Sequence, residues 1–319
     1  MLKAVVLFVI GLVLLIKGGD WFVDGAVGIA KRYRIPEILI GATVVSIGTT
    51  IPEVMVSSIA AFSGQSQTAY GNAIGSIICN TSLICAITMA FAPSDVDIKT
   101  LKLPVAFFVV SALFYSFCAY FFGEFFRVTG IILLSMFVVY MFISAKKALK
   151  GGEEGEVEEE EQNPLWKDLL LLAGGAVLIA LGANELVDNG QIIAAGLGVP
   201  ESVIALTFIA LGTSLPELVT AITSLIKKHS SLSLGNIIGA NLFNLVLVSG
   251  AAITIRPFKI PSEKLIGGMN ASLVIDIPLV FLVSCILIVP TFISKKVKRW
   301  QGILLLCIYA VYCGFQFLG

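Results

Sequence analysis

The segment from Gly41 to Glu53 reads Gly-Ala-Thr-Val-Val-Ser-Ile-Gly-Thr-Thr-Ile-Pro-Glu, and a close copy of it returns later in the chain. From Ala205 to Glu217 the sequence is Ala-Leu-Thr-Phe-Ile-Ala-Leu-Gly-Thr-Ser-Leu-Pro-Glu. Both copies place a glycine, two hydroxyl side chains, a proline and a carboxylic acid inside an apolar stretch. A carboxylic acid in such a stretch is costly, so its repetition indicates a shared role.

One constant offset, which carries Glu53 onto Glu217, relates the two copies and extends well beyond them, so it marks an internal repeat. We call it the repeat offset. It predicts a first half over residues 1–150 and a second half over residues 165–319. The repeat offset pairs Gly11 with Gly175, Asp24 with Asp188, Pro36 with Pro200, Gly48 with Gly212, Glu53 with Glu217 and Asn80 with Asn244.

Between the halves, residues 151–164 carry seven glutamates between glycines and a proline. We interpret this segment as a solvated acidic linker. A weak regulatory calcium site is the alternative, although the spacing does not resemble a closed coordination loop. The glutamates are Glu153, Glu154, Glu156, Glu158, Glu159, Glu160 and Glu161.

The composition predicts a membrane protein, because 57% of the 319 residues are hydrophobic and only 13% are charged. Helices and closed barrels are the structures that span bilayers, and these apolar runs lack the alternation of barrel strands. We therefore expect an all-α membrane protein that contacts the lipid bilayer and does not bind nucleic acid. The predicted spans are 4–30, 37–62, 70–91, 103–122, 128–146, 165–193, 201–226, 232–254, 272–293 and 300–318.

Ten spans divide into five per half, and an odd number per repeat inserts the second half upside down. The sequence thus predicts two inverted-topology repeats, an arrangement typical of secondary transporters. Fifteen lysines and arginines fall on one predicted side, against five on the other: Lys3, Arg127, Arg256, Lys259 and Lys264. Because basic residues favour the cytoplasmic side, we expect a multi-pass cell-membrane protein with both termini outside the cytoplasm.

The two Gly-to-Glu segments predict an oxygen-rich site at mid-membrane. Proline disrupts the helical ladder, so we expect a break there that frees backbone carbonyls at Ser46 and Ala210. Hydroxyls, carbonyls and the carboxylates of Glu53 and Glu217 form a set that suits hard cations such as calcium. Two protonated glutamates in structural contacts are the alternative, which leaves the repeated hydroxyls unexplained.

The third spans carry a second matched motif. One copy, from Gly71 to Asn80, reads Gly-Asn-Ala-Ile-Gly-Ser-Ile-Ile-Cys-Asn, and the other, from Gly235 to Asn244, reads Gly-Asn-Ile-Ile-Gly-Ala-Asn-Leu-Phe-Asn. Spacings of four residues put Asn72, Ser76 and Asn80 on one helical stripe. These side chains either face the broken helix or serve only as close packing with amide hydrogen bonds.

Together these motifs resemble the calcium/cation antiporter superfamily, specifically prokaryotic sodium/calcium exchangers. The resemblance implies a ten-helix inverted-repeat fold that transports calcium and sodium, without a cofactor or an obligatory protein partner. It further implies that Glu53 and Glu217 bind calcium. The other implied ligands are Thr49, Thr50, Thr213 and Ser214, the carbonyls of Ser46 and Ala210, and the side chains of Ser76, Asn80 and Asn244.

Two positions depart from that family pattern. Ala240 stands where the second repeat usually has serine, and Asn244 stands where several relatives have aspartate. The first departure leaves the number of sodium ions open, and the second favours an exchanger that does not depend on potassium.

We expect a secondary active antiporter that exchanges calcium for sodium by alternating access. The first and sixth spans, interrupted by glycines, are the candidates to slide against the bundle. A proton/calcium antiporter is the nearest alternative, since glutamates also carry protons. An intramembrane acid/base enzyme would use the same glutamates, but the sequence contains neither a candidate nucleophile nor a set of metal-binding histidines. An ion channel is a further alternative.

Overall fold

The computed structural model describes residues 2–151, 163–197, 212–261, 265–266 and 268–318, and most of them are helical. The linker glutamates Glu153 to Glu161 lie outside the described residues, as does Ala210. The predictions for these positions therefore stay predictions.

The helices follow the predicted apolar runs closely, and most of these runs are long enough to cross a bilayer. In the first half they are α1 (Leu2–Arg32), α2 (Glu37–Phe62), α3 (Ser66–Phe91), α4 (Ile98–Phe122) and α5 (Arg127–Gly151). In the second half they are α6 (Leu165–Gly196), α7 (Leu215–Ile226), α8 (Ser230–Ile255), α9 (Ser272–Ser294) and α10 (Arg299–Leu318).

Eight of these helices are long and apolar enough to span a membrane: α1 to α6, α8 and α9. In α7 only 12 residues are described, and the first turn of α10 holds two polar residues, Arg299 and Gln301. Large apolar side chains such as Phe62, Phe91 and Ile293 are mostly exposed, at 83%, 78% and 80%. Such an outer surface is suited to lipid rather than water, so the chain is a multi-pass membrane protein.

The break predicted near Pro52 is wrong in the first half, where α2 runs through this proline without interruption. The irregularity lies upstream instead, as a π-helical segment from Gly41 to Val45. A π turn absorbs a disturbed hydrogen-bond ladder without ending the helix. In the second half, Thr213 and Ser214 form a turn directly before α7 begins at Leu215.

Two more π-helical segments start at the paired asparagines. One covers Asn80–Cys85 in α3, and the other covers Asn244–Ser249 in α8. The repeat offset relates these segments at both ends. The wide turns therefore recur at matched places in the two halves, next to residues that the sequence nominated for the site.

Alternate connections gather at two opposite ends of the bundle. At one end, which we call the basic end, Arg32 lies 3.8 Å from Asp168, His229 contacts Glu37 at 2.8 Å, and Lys296 pairs with Asp95 at 3.0 Å. The first two contacts join the α1–α2 region to α6 and to the α7–α8 connection. The third joins the α3–α4 connection to the α9–α10 connection.

At the opposite end, the strand β1 (Glu124–Phe125) pairs antiparallel with β2 (Phe258–Lys259). This pairing joins the α4–α5 connection to the α8–α9 connection. A second two-stranded pair, β3 (Leu265–Ile266) with β4 (Met269–Asn270), follows within the latter connection.

Helices α1 and α6 pack together along most of their length. Glycines make this possible, because a Cβ atom at Gly11 would lie 2.9 Å from the carbonyl of Gly182, and one at Gly175 would lie 2.7 Å from that of Gly18. Neighbouring helix backbones approach this closely only where side chains are absent. The seam holds α1 and α6 as an antiparallel pair beside the rest of the bundle.

Candidate functional site

Helix α2 buries one polar face inside the bundle. Ser46, Thr49, Thr50, Glu53 and Ser57 are all buried, and Glu53 has no exposed surface. Their spacing places them on the side of α2 that meets α3, α7 and α8. The helix thus directs its hydroxyls and its acid into the bundle, while Ile51 and Met55 on another side are exposed.

The second half supplies the matching acid from the start of α7. Ser214 and Glu217 are buried, and Pro216 stands in the first turn, where its missing N–H costs nothing. Helix α7, which carries Glu217, packs against α2, which carries Glu53. The structure therefore brings together the two acids that the sequence paired.

Asn80 and Asn244 complete this arrangement from α3 and α8. Both side chains are fully buried, and the π-helical segments that they begin pack against α7 and α2, respectively. Ser76 is buried one turn before Asn80. Among the described residues, no hydrogen bond ties Ser76 to either glutamate.

Eight buried oxygen atoms at the site make no hydrogen bond with any described residue: one each from Thr50, Asn80, Ser214 and Asn244, and two each from Glu53 and Glu217. Buried polar atoms are normally paired, so this concentration is unusual. Calcium takes six to eight oxygen ligands, and sodium is likewise a hard cation. The donor set fits such ions as cargo.

Two hydrogen bonds cross between the halves in a mirrored way. Thr49 donates to the side-chain oxygen of Asn236 over 3.2 Å, and Thr213 donates to that of Asn72 over 3.2 Å. The repeat offset relates Thr49 to Thr213 and Asn72 to Asn236. Because each hydroxyl hydrogen is engaged by an amide, the remaining lone pairs of both threonines are available to a cation.

The carbonyl of Ser46, which the sequence predicts to be free for an ion, already has a hydrogen-bond donor. It accepts a long hydrogen bond from Thr49 over 3.4 Å, while the Ser46 hydroxyl donates to the carbonyl of Asn236 over 2.9 Å. Gly239 packs directly on Ser46 and the backbone of Ala42, so α8 touches α2 at this point. Ala210, the partner position of Ser46, lies outside the described residues.

A cavity of about 620 Å³ reaches this site from the end opposite the basic end. Thr49 and Thr213 line its inner part, and Asp188 and Gln191 of α6 line its outer part. The ring of Phe22 on α1 would lie 2.9 Å from a Cβ atom at Gly48, so α1 closes directly over α2. Residues of α1 and α6 thus border the access route.

The profile of the sodium/calcium exchanger protein family matches residues 3–146 and 167–318. The chain belongs to this family. An uncharacterized membrane protein, MJ0091, from Methanocaldococcus jannaschii is 32% identical over 307 residues, covering 95% of each chain. The sodium/calcium exchanger MaX1 from Methanosarcina acetivorans is 30% identical over 344 residues, covering 96% of each.

Solved structures of the sodium-calcium exchanger NCX_Mj are also similar. One, soaked with Na⁺ and Sr²⁺, matches with a TM-score of 0.80 at 30% identity, covering 97% of this chain and 96% of that one. The family, MaX1 and NCX_Mj are transporters rather than enzymes. The chain is therefore a cation/calcium antiporter, and the expectation that it is not an enzyme is confirmed.

Asn72 and Asn236 are residues of this exchanger that the sequence reasoning did not place among the ligands. Asn72 also donates to the backbone carbonyl of Glu53 over 3.2 Å and to the hydroxyl of Ser57 over 2.8 Å. The available signal was the Gly-Asn dipeptide that opens both copies of the third-span motif.

Proposed function

We propose that this antiporter exchanges calcium for sodium by alternating access. The observation that carries the proposal is the set of eight oxygen atoms, four of them from Glu53 and Glu217, that have no hydrogen-bond partner in the part of the chain that the structure describes. Two carboxylates balance one calcium ion or two sodium ions, so the ions compete for the same oxygens. The proposed ligands beside the two acids are Thr49, Thr50, Thr213 and Ser214, the carbonyls of Ser46 and Ala210, and the side chains of Ser76, Asn80 and Asn244.

The coupling follows from the cost of burying charge. An empty site holding two ionised carboxylates away from water is unfavourable, whereas a loaded site is close to neutral. Closure is therefore favoured only with ions bound. We propose that α1 and α6, the pair joined by the glycine seam, move together against the bundle and expose the site to either side in turn.

We also propose ten membrane helices in two inverted repeats, with membrane halves 1–150 and 165–319 and a cytoplasmic linker 151–164. Mirrored contacts support this arrangement: Thr49 with Asn236 and Thr213 with Asn72, and likewise Gly11 with Gly182 and Gly18 with Gly175. In each pair, the repeat offset converts one contact into the other, with the two halves exchanged. A two-fold axis between the halves has the same effect.

We place the basic end in the cytoplasm and both termini outside, in the cell membrane, because lysines and arginines concentrate at that end. With this orientation, the cavity that reaches Thr49 and Thr213 opens outward.

The test is calcium-45 uptake into proteoliposomes loaded with sodium and diluted into sodium-free buffer. We expect uptake that requires the sodium gradient and is lost in both Glu53→Gln and Glu217→Gln. Glu185→Gln is the matched control, because this half-buried carboxylate bonds to Asn189 instead of facing the site. Sodium-independent uptake, or full uptake by both site variants, would refute the proposal.

A proton/calcium antiporter is the second candidate, because Glu53 and Glu217 are buried acids that can carry protons. The same liposomes distinguish the two: an acid interior without sodium, with and without a protonophore, drives uptake only if protons are the counter-ion. The engaged hydroxyls of Thr49 and Thr213 favour sodium, since a site for protons alone has no use for them.

A further inference from the structure

A second large cavity lies at the basic end, away from the ion site. It has a volume of about 680 Å³ and runs between α5 and the segment that joins α1 to α2. Its inner walls are mostly aliphatic, with Leu39, Ile40 and Val44 on one side and Met141 and Ala148 on the other. Next to the cavity, the hydroxyl of Tyr140 on α5 donates to the carbonyl of Ala42 on α2 over 2.7 Å, which ties the two helices together.

The mouth of this cavity is basic. Arg32, Tyr33 and Arg34 line it, and Arg32 also pairs with Asp168. The cavity is also lined by Ser144, which is buried. The groove therefore joins a cationic mouth to a mostly apolar interior.

The backbone at Arg34 adds an independent observation. Its φ angle is +53°, in the left-handed region where glycine is the ordinary choice and other residues cost about 1 kcal/mol or more. The turn is a helix end in which Ile35 bonds back to the carbonyl of Ala30 over 2.9 Å. The repeat offset pairs Arg34 with a glycine in the sequence, Gly198.

The sequence of the other half also differs at two groove positions on α5. Ile308 and Tyr312 stand in the sequence where Ser144 and Ala148 stand in the first half. Larger side chains at these positions would fill the space that the small ones leave open. None of the proposed ion ligands lines this groove, so it is not part of the ion site.

We propose that this groove binds one anionic phospholipid from the membrane leaflet at the basic end. The acyl chain would occupy the aliphatic interior, and the phosphate would meet the guanidinium of Arg34 at the mouth. The bilayer supplies such a ligand at this depth, and basic pockets between membrane helices favour anionic head groups. Free phosphate would leave the interior unused, so the lipid is the better match for both parts.

The proposal is tested by thermal unfolding of the full chain in neutral detergent, with added phosphatidylglycerol, phosphatidylcholine or inorganic phosphate. We expect phosphatidylglycerol alone to raise the unfolding midpoint by several degrees. Arg34→Gly should weaken the apparent affinity about fivefold, the loss expected for one basic charge near a membrane surface. Ala148→Trp should abolish the shift by filling the groove while leaving the arginines in place.

Lys228→Gly is the matched control, because Lys228 also has a left-handed backbone, with φ of +65°, and does not line this groove. Glycine suits both backbones, so both variants are expected to fold. An equal response to phosphatidylcholine, a response to phosphate, or equal losses in Arg34→Gly and Lys228→Gly would overturn the proposal. An unchanged shift in Ala148→Trp would do the same, and none of these results bears on ion exchange.

Discussion

Asn72 and Asn236 perform the same task for opposite threonines, yet their surroundings differ. The Asn72 side chain makes three hydrogen bonds, to Thr213, Glu53 and Ser57. The Asn236 side-chain oxygen accepts one, from Thr49, and its side-chain nitrogen has no partner among the described residues. Asn72 therefore contributes more hydrogen bonds to the folded structure than Asn236 does.

We therefore expect Asn72→Leu to lower the free energy of unfolding by about 1–3 kcal/mol, because it leaves several buried groups unpaired. Asn236→Leu should cost clearly less. Both variants should weaken calcium binding to a similar extent, since each releases one site threonine. Thermal unfolding and calcium titration of the purified variants measure the two effects separately.

If the two asparagine variants lost equal stability, or if calcium affinity fell in only one of them, the mirrored role would be contradicted. Thr43→Val is a suitable control, because the Thr43 hydroxyl donates only within its own helix, to Leu39 over 2.7 Å and weakly to Ile40 over 3.5 Å. It should change calcium affinity little.

The acids of the site could be predicted from the sequence, whereas the partners of the threonines could not. Glu53 and Glu217 stand out because a repeated carboxylic acid in an apolar run is rare. Nothing in the one-dimensional pattern shows that Asn72 faces Thr213 rather than Thr49. That pairing depends on how the two halves are turned toward each other.

At the scale of single helices, apolar length predicted the elements well. The second predicted span, 37–62, coincides with α2, and the span 272–293 ends one residue before α9 does. The third was predicted to begin at residue 70, but α3 begins at Ser66. Its first turn is polar, so a hydropathy pattern misses it.

The effect of Pro52 was not predictable from local rules. A proline usually kinks a helix or ends it, but here the ladder is disturbed upstream, from Gly41 to Val45. Packing decides the outcome, because Gly235 and Gly239 of α8 lie directly against this part of α2.

The seam between α1 and α6 yields a prediction for this helix pair. Gly175→Ala would push a methyl group into the backbone of α1, near Phe22 and Gly18. We expect a loss of about 1–3 kcal/mol in the free energy of unfolding, as for other overpacked contacts. Thermal unfolding of the purified variant is the measurement.

Gly174→Ala is the control, since a Cβ atom there meets only the Trp21 ring, at 3.7 Å. Alanine is a better helix former by about 1 kcal/mol, so this variant should match or exceed the parent chain in stability. Comparable destabilisation by both substitutions would show that helix propensity rather than the close seam determines the result.

On the scale of the whole molecule, the two ends differ in how they are closed. At the basic end, Lys227 of the α7–α8 connection contacts Asp24 of α1 at 2.7 Å and Asp20 at 3.6 Å. The repeat offset places Ser63, which carries no charge, at the equivalent position of the other half. The ion pairs therefore hold α1 against the α7–α8 connection at the basic end, whereas the cavity lies toward the opposite end.

We expect Lys227→Gln to shift the protein toward states open at the basic end, because it frees α1 from α7. A partly exposed ion pair contributes about 1 kcal/mol. Its loss would change the ratio between states open at the basic end and states open at the opposite end roughly fivefold. The measurement is labelling of Val187→Cys by an impermeant maleimide added from the cavity side, in a chain whose native cysteines are replaced. Labelling should slow in the Lys227→Gln background.

Lys296→Gln serves as the comparison, because Lys296 pairs with Asp95 at the same end without touching α1. It should leave the labelling rate unchanged. Equal slowing by both variants would mean that the charge of the basic end as a whole, not the link to α1, controls access.

The wide turns at Asn80 and Asn244 have a further consequence for the whole assembly. Each holds one residue more than an ordinary helical turn, so the helix beyond it is rephased by about 100° around its axis. Shifting that surplus residue by a single step would re-aim an asparagine while both ends of its helix stay anchored. The same one-step shift in either half would redirect an amide at the centre of the molecule while the helix ends stay in place.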